Sequence, residues 1–246
     1  MTRKTVLITG ASAGIGAASA RLLAQHGYDV GLGYRTDRAG AEAVARDVEA
    51  AGGRAVLLQG DMAVPAEIDA VFAAFDAAFP RLDALVNNAG IVGTKTTVAE
   101  MAPERIAQIM AVNVTGAFLV AQGAVRRMQA QGSGAIVNMS SAAARLASPG
   151  QYVDYAASKA AIDTLTQGLA QEVAGQGIRV NAIRPGIIET EIHAKGGEPD
   201  RVARLGPLVP MQRPGTADEV AQAVLWLLSD AASYVTGTFV DVSGGR

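Results

Sequence analysis

The chain has 246 residues, half of them hydrophobic, with 21 basic against 23 acidic side chains and a net charge of −2. That balance excludes the clustered basic footprint of a nucleic-acid-binding protein, and the hydrophobic share excludes a disordered chain. With no cysteine, disulfide frameworks and thiolate metal sites are excluded, and the two histidines, His26 and His193, are too far apart in sequence to form a metal motif.

In chain order, an apolar run at 5–9 is too short for a signal-peptide core, and no stretch approaches the roughly 20 apolar residues of a bilayer span. A cytoplasmic protein without membrane contact is expected. Residues 6–8 read as a strand leading straight into Thr9-Gly10-Ala11-Ser12-Ala13-Gly14-Ile15-Gly16, with a helix over 14–26. Strands follow at 30–34, 55–58 and 82–87, separated by helices at 39–51 and 65–79. Two helices are expected at 103–113 and 115–131, then a strand at 135–139, a helix at 151–175 and a strand at 179–183. A last helix at 217–229 precedes a strand at 238–242. Thr216 with Glu219 reads as a capping box for that helix, and Val220, Val224, Leu227 and Leu228 as its core face.

Several strands are near-continuous apolar runs, the pattern of a parallel sheet buried on both faces. Strand–helix alternation then predicts an α/β fold, a doubly wound parallel sheet of about seven strands with helices on both faces. No linker or repeat divides residues 1–246, so one domain is expected. Residues 186–215 break the pattern with Gly196-Gly197, Pro199, Pro207, Pro210 and Pro214. So long a connection after a strand is expected to cover a substrate at the carboxyl edge of the sheet.

Gly10, Gly14 and Gly16 lie between a strand and a helix, with Ser12 and Ile15 in the same turn. Bare backbone can approach a diphosphate there, and a helix N-terminus offers free N–H groups. A glycine-rich turn with no ligand is the other reading. The second strand ends Gly33-Tyr34-Arg35-Thr36. An acid at that tip favours NAD, whereas an arginine accommodates a 2′-phosphate. NADP(H) is therefore expected, with NAD(H) the alternative. Asp61 and Met62, after the third strand, are expected to border the adenine, and Asn87-Asn88-Ala89-Gly90, after the fourth, the ribose, with turn chemistry the other reading of either group.

Tyr155 and Lys159 share a helix face at i and i+4. A free tyrosine has a pKa of about 10, and a nearby ammonium lowers it, so the pair suits acid–base work on a carbonyl or alcohol oxygen. Ser141 follows the fifth strand and can donate to that oxygen. Arg145, Ser148, Tyr152, His193 and Met211 are further candidates for the pocket lining.

The ordered set of Thr9-Gly10-x-x-x-Gly14-Ile15-Gly16, Asn87-Asn88-Ala89-Gly90, Asn113, Ser141, Tyr155-x-x-x-Lys159 and Pro185-Gly186 resembles the classical short-chain dehydrogenase/reductase family over essentially the whole chain. The resemblance implies a seven-stranded Rossmann fold and a homotetramer. It implies Tyr155 as general acid/base, Ser141 polarising the substrate oxygen, Lys159 binding the ribose and tuning Tyr155, and Asn113 holding a water in a proton relay. Pro185 and Gly186 would open the loop over the nicotinamide, with Ile188 and Thr190 on its carboxamide. Two departures stand out. The Ser-to-Tyr segment is one residue longer than the commonest spacing, which keeps Ser140 as an alternative to Ser141, and Ala13 stands where many NADP-using relatives have a basic residue. The expected activity is hydride transfer between NADP(H) and a small carbonyl or secondary alcohol substrate. The alternatives are a nucleotide-sensing binding protein without turnover and an NAD-dependent sugar or alcohol dehydrogenase.

Overall fold

The computed structural model describes residues 3–246. Seven strands, β1 (Lys4–Ile8), β2 (Tyr28–Tyr34), β3 (Ala55–Gln59), β4 (Ala84–Asn87), β5 (Gly134–Met139), β6 (Ile178–Pro185) and β7 (Phe239–Val242), form one sheet in the order β3-β2-β1-β4-β5-β6-β7. Every neighbouring pair is parallel. The helices are α1 (Gly14–Gln25), α2 (Arg38–Ala50), α3 (Pro65–Ala78), α4 (Pro103–Met110), α5 (Ala117–Gln131), α6 (Ala143–Leu146), α7 (Val153–Val173), α8 (Ile192–Lys195), α9 (Arg201–Leu205) and α10 (Ala217–Leu228).

Alternate strand residues point to opposite faces, and here both faces are covered. Val6 and Ile8 pack with Leu23, Val44, Val48, Val220, Val224 and Leu227 of α1, α2 and α10. Leu7 packs the other way, with Phe72, Phe75, Val120, Met128 and Val173 of α3, α5 and α7. This two-sided burial is why β1 reads as an unbroken apolar run. Local signals set the helix starts: Asp37 accepts from the Gly40 N–H at 2.9 Å to cap α2, Pro65 opens α3, and Thr216 and Glu219 form the reciprocal capping box of α10.

Three expectations need correction. The helices at 103–113 and 115–131 are one continuous run, because α4 passes through a π-turn, Ala111–Gly116, into α5. The β-branched Val112, Val114 and Thr115 weaken the local propensity, but inward packing of Val112 and Asn113 holds the run together. This run, Pro103–Gln131, reaches a mean hydropathy of 1.4 over its best window and is long and apolar enough to cross a bilayer. That corrects the expectation that no stretch comes near such a span; here it lays Val120, Ala124 and Met128 into the core. Residues 186–215 are also more ordered than their Gly/Pro content implies. They contain α8, α9 and a 3-10 turn at Gly206–Leu208, and a parallel bridge between Ile188 and Gly215 joins the two ends.

Candidate active site

Strand order reverses between β1 and β4, which opens a crevice at their carboxyl ends. The polar residues there are tied to one another. Thr9 Oγ1 accepts from the Asn88 and Ala89 N–H groups, each at 3.0 Å, and Asn88 Nδ2 donates to the Thr9 and Gly10 carbonyls at 2.9 and 3.1 Å. The glycine turn fits a dinucleotide diphosphate on two counts. Gly10 and Gly14 hold positive φ angles of 67° and 54°, and a Cβ on Gly16 would overlap the Gly10 carbonyl oxygen. In addition, α1 starts after Ala13, which offers no side-chain cap, so its first N–H groups are left for an anion.

A cavity of about 630 Å³ runs from this turn to the start of α7. Side chains from α7 reach the end of β5 through several polar contacts. Lys159 Nζ donates to the Met139 carbonyl at 2.8 Å, Ser140 Oγ to the Lys159 carbonyl at 3.2 Å, and Asn138 Nδ2 to Thr166 Oγ1 at 3.0 Å. These contacts bring Tyr155 and Lys159 against Ser141, and all three line the cavity. The Lys159 ammonium lies 5.7 Å from the Tyr155 ring centroid. Burial pushes the Lys159 pKa down to about 8, against the smaller opposing pull of Asp163. Burial also raises the Tyr155 phenol above its usual value, and a hydrogen bond from the Ser141 side chain offsets part of that rise.

The family model described as Enoyl-(Acyl carrier protein) reductase matches residues 10–246. The chain is 55% identical over 243 residues to the uncharacterized oxidoreductase YgfF of Escherichia coli K12, covering 98% of each. It superposes with a TM-score of 0.92 and 33% identity on 3-ketoacyl-(acyl-carrier-protein) reductase from Brucella melitensis complexed with NADH, over 99% of this chain and 98% of that one. A short chain dehydrogenase from Burkholderia cenocepacia in complex with NADP gives the same TM-score at 34% identity, over 99% and 98%. The chain belongs to the classical short-chain dehydrogenase/reductase family. As a short-chain dehydrogenase/reductase it is an oxidoreductase acting on CH–OH and C=O groups with a nicotinamide cofactor.

Of the cofactor-side residues expected from sequence, Gly10, Ser12, Gly14, Ile15, Tyr34, Arg35, Asp61, Met62, Asn88, Ala89, Gly90, Pro185, Gly186, Ile188 and Thr190 all line the cavity. Gly16 does not; it lies behind the turn, against the Gly10 carbonyl. Asn113 is also off the wall. It is 1% exposed, and its side chain exchanges hydrogen bonds with the Ile91 N–H and carbonyl at 2.8 and 2.9 Å while donating to Ser158 Oγ at 3.1 Å. Ser148, Tyr152 and His193 line the cavity, whereas Arg145 and Met211 do not, the latter being 60% exposed.

Three points revise the short-chain dehydrogenase/reductase expectations. The Tyr155 pKa moves up, not down, because burial of the phenol outweighs the hydrogen bond from the Ser141 side chain. Arg35 is not a lone cation, since Asp61 approaches it at 3.6 Å. Acids also stand at that end of the cavity, as Asp37 joins Asp61 in its wall with one carboxylate oxygen on the α2 N-terminus. Sequence reasoning missed Ile91, Val92, Gln151 and Arg201, which also line the cavity. The first two directly follow Asn87-Asn88-Ala89-Gly90 and could have been found by extending that motif. Gln151 and Arg201 carried no local signal.

Proposed function

We propose that the protein is an NADP(H)-dependent reductase of small carbonyl compounds, able to run in reverse on secondary alcohols. The observation that carries this reading is the convergence of Ser141, Tyr155 and Lys159 with the glycine turn on one cavity. The bound nicotinamide would supply or take up the hydride. Ser141 would donate to the substrate oxygen as negative charge develops there, and Tyr155 would deliver the proton. A phenol whose pKa is raised by burial stays protonated through the neutral range, which suits the reducing direction. Lys159 would hold ribose hydroxyls from its anchored position on the Met139 carbonyl. Because the Asn113 side chain is committed to Ile91 and Ser158, a relay water would rest on its main-chain carbonyl, at the π-turn. Ile188 and Thr190 would meet the carboxamide, and residues 186–215 would cover the substrate.

Arg35 supports the 2′-phosphate form of the cofactor. It stands half-exposed at the adenosine end, and its guanidinium matches a phosphate. The nearby Asp61 carboxylate favours NAD(H) as the second reading. A homotetramer is the proposed assembly, because Ile106, Met110 and Phe118 leave exposed apolar surface along the Pro103–Gln131 run, and Trp226 and Tyr234 do so elsewhere.

The test is NADPH consumption with a panel of ketones, using wild type and Tyr155→Phe. Turnover should disappear in the variant while NADPH still binds. A variant as active as wild type would remove Tyr155 from the mechanism. Tight NADPH binding by wild type without turnover of any ketone would favour a nucleotide sensor.

A further inference from the structure

Resting on that reading, we propose that the cavity selects substrates bearing a carboxylate, as on a keto or hydroxy acid, and that Arg201 is the residue that holds it. Arg201 opens α9, inside the segment that follows β6, and lines the same cavity as Tyr155. Its side chain is only 11% exposed, and its guanidinium packs over the Tyr152 ring at 5.0 Å from the centroid. Tyr152 lies just before the helix that carries Tyr155. Arg201 thus reaches the cavity wall beside the N-terminus of the helix that carries Tyr155.

The guanidinium is only partly used by the protein. Nη1 donates to Gln151 Oε1 at 2.8 Å and to Glu198 Oε2 at 2.6 Å. Among the described residues, Nε and Nη2 find no acceptor, and neither is a sealed buried atom, so both open onto accessible space. Three N–H groups of a rigid planar fork are thus unspent, and that fork matches a carboxylate edge.

The charges around Arg201 balance, so the unspent donors carry the assignment. One carboxylate, Glu198, serves Arg201 and Arg204, each at 2.6 Å, and also accepts from the Tyr152 hydroxyl. With Asp200, which directly precedes Arg201 at the start of α9, the local count is two cations to two acids. The neighbouring charges cancel in pairs, Lys195 with Glu191 at 2.9 Å and Arg105 with the buried Asp154 at 2.7 Å. His193, on the same wall, is kept neutral at pH 7 by burial and, second, by the field of Arg201. A carboxylate would take up the unspent donors of this cavity-lining guanidinium through charge-assisted hydrogen bonds, which a neutral ester cannot supply.

The experiment compares pyruvate, acetoacetate and levulinate with their methyl esters, using NADPH and NADH, in wild type, Arg201→Gln and Arg201→Lys. Wild type should favour at least one acid over its ester by about tenfold or more in kcat/KM. Arg201→Gln should bring that ratio near one with the KM for NADPH unchanged, and Arg201→Lys should restore part of it. Equal reduction of acids and esters by wild type, or an undiminished preference in Arg201→Gln, would overturn the assignment and leave the reductase reading intact. Failure of wild type to reduce any of the six compounds would count against the reductase reading instead. The assignment then stands or falls on calorimetric titration of levulinate into NADP⁺-loaded protein. Binding that is lost in Arg201→Gln upholds it, and absence of binding to wild type overturns it.

Discussion

Lys159 is 4% exposed, and its pKa near 8 lies well below the usual lysine value of 10.5. Below pH 8 the folded protein carries a buried ammonium at full desolvation cost. Between pH 8 and 10.5 the folded state sheds the proton while the unfolded chain keeps it, so stability rises with pH across that window. Wild type should therefore gain on Lys159→Met by on the order of 3 kcal/mol between pH 7 and pH 10.5, measured by chemical denaturation. A gap that does not change with pH would contradict the buried-charge account. At the other end of the cavity, Arg35→Ala should raise the KM for NADPH about tenfold or more while barely moving that for NADH, as expected for loss of one charge-assisted contact. Equal effects on both would favour the NAD(H) reading. The convergence of Tyr155, Lys159 and Ser141 on one cavity was legible because the first two obey a helical spacing and the third stands at a strand end. Arg201 was not legible, since its position depends on α9 folding back to Gln151 and Tyr152, 50 and 49 positions earlier in the chain. The direction of the Tyr155 shift was misread for a similar reason. A spacing of four says that two groups are near each other, but not how deeply the fold buries the phenol.

At the level of elements, the turn between β1 and α1 depends on the close approach of Gly16 to the Gly10 carbonyl. Gly16→Ala should force the two apart, costing about 1–3 kcal/mol in stability and weakening NADPH binding more than substrate binding. Thermal denaturation and cofactor titration would check this, and a variant with unaltered cofactor affinity would refute the tight-turn argument. Strands were read well because two-sided burial leaves an unmistakable apolar run, and α10 because its capping box is purely local. The π-turn was not visible. Whether a helix widens over one turn depends on what its inward side chain meets, here Asn113 on the Ile91 backbone, and no neighbour in sequence announces that. The segment 186–215 was misjudged in the opposite sense, since its Gly and Pro residues delimit short helices as well as breaking long ones.

For the whole molecule, the apolar surface left at Ile106, Met110 and Phe118 argues that the chain does not act alone. Light scattering should give four times the mass of one chain, and Phe118→Glu should lower the oligomeric state. A monodisperse monomer in wild type would remove the tetramer proposal. The uncapped beginning of α1 reaches further than the site it borders. A helix whose opening turn is completed by a guest molecule is unfinished when it leaves the ribosome. Resistance of the folded enzyme to proteases should then track the supply of dinucleotide, because whatever binds only the native state shifts the population toward it. In a cell short of that dinucleotide in both its oxidised and reduced forms, this protein would be expected to disappear sooner, so that its abundance would report on the cofactor pool.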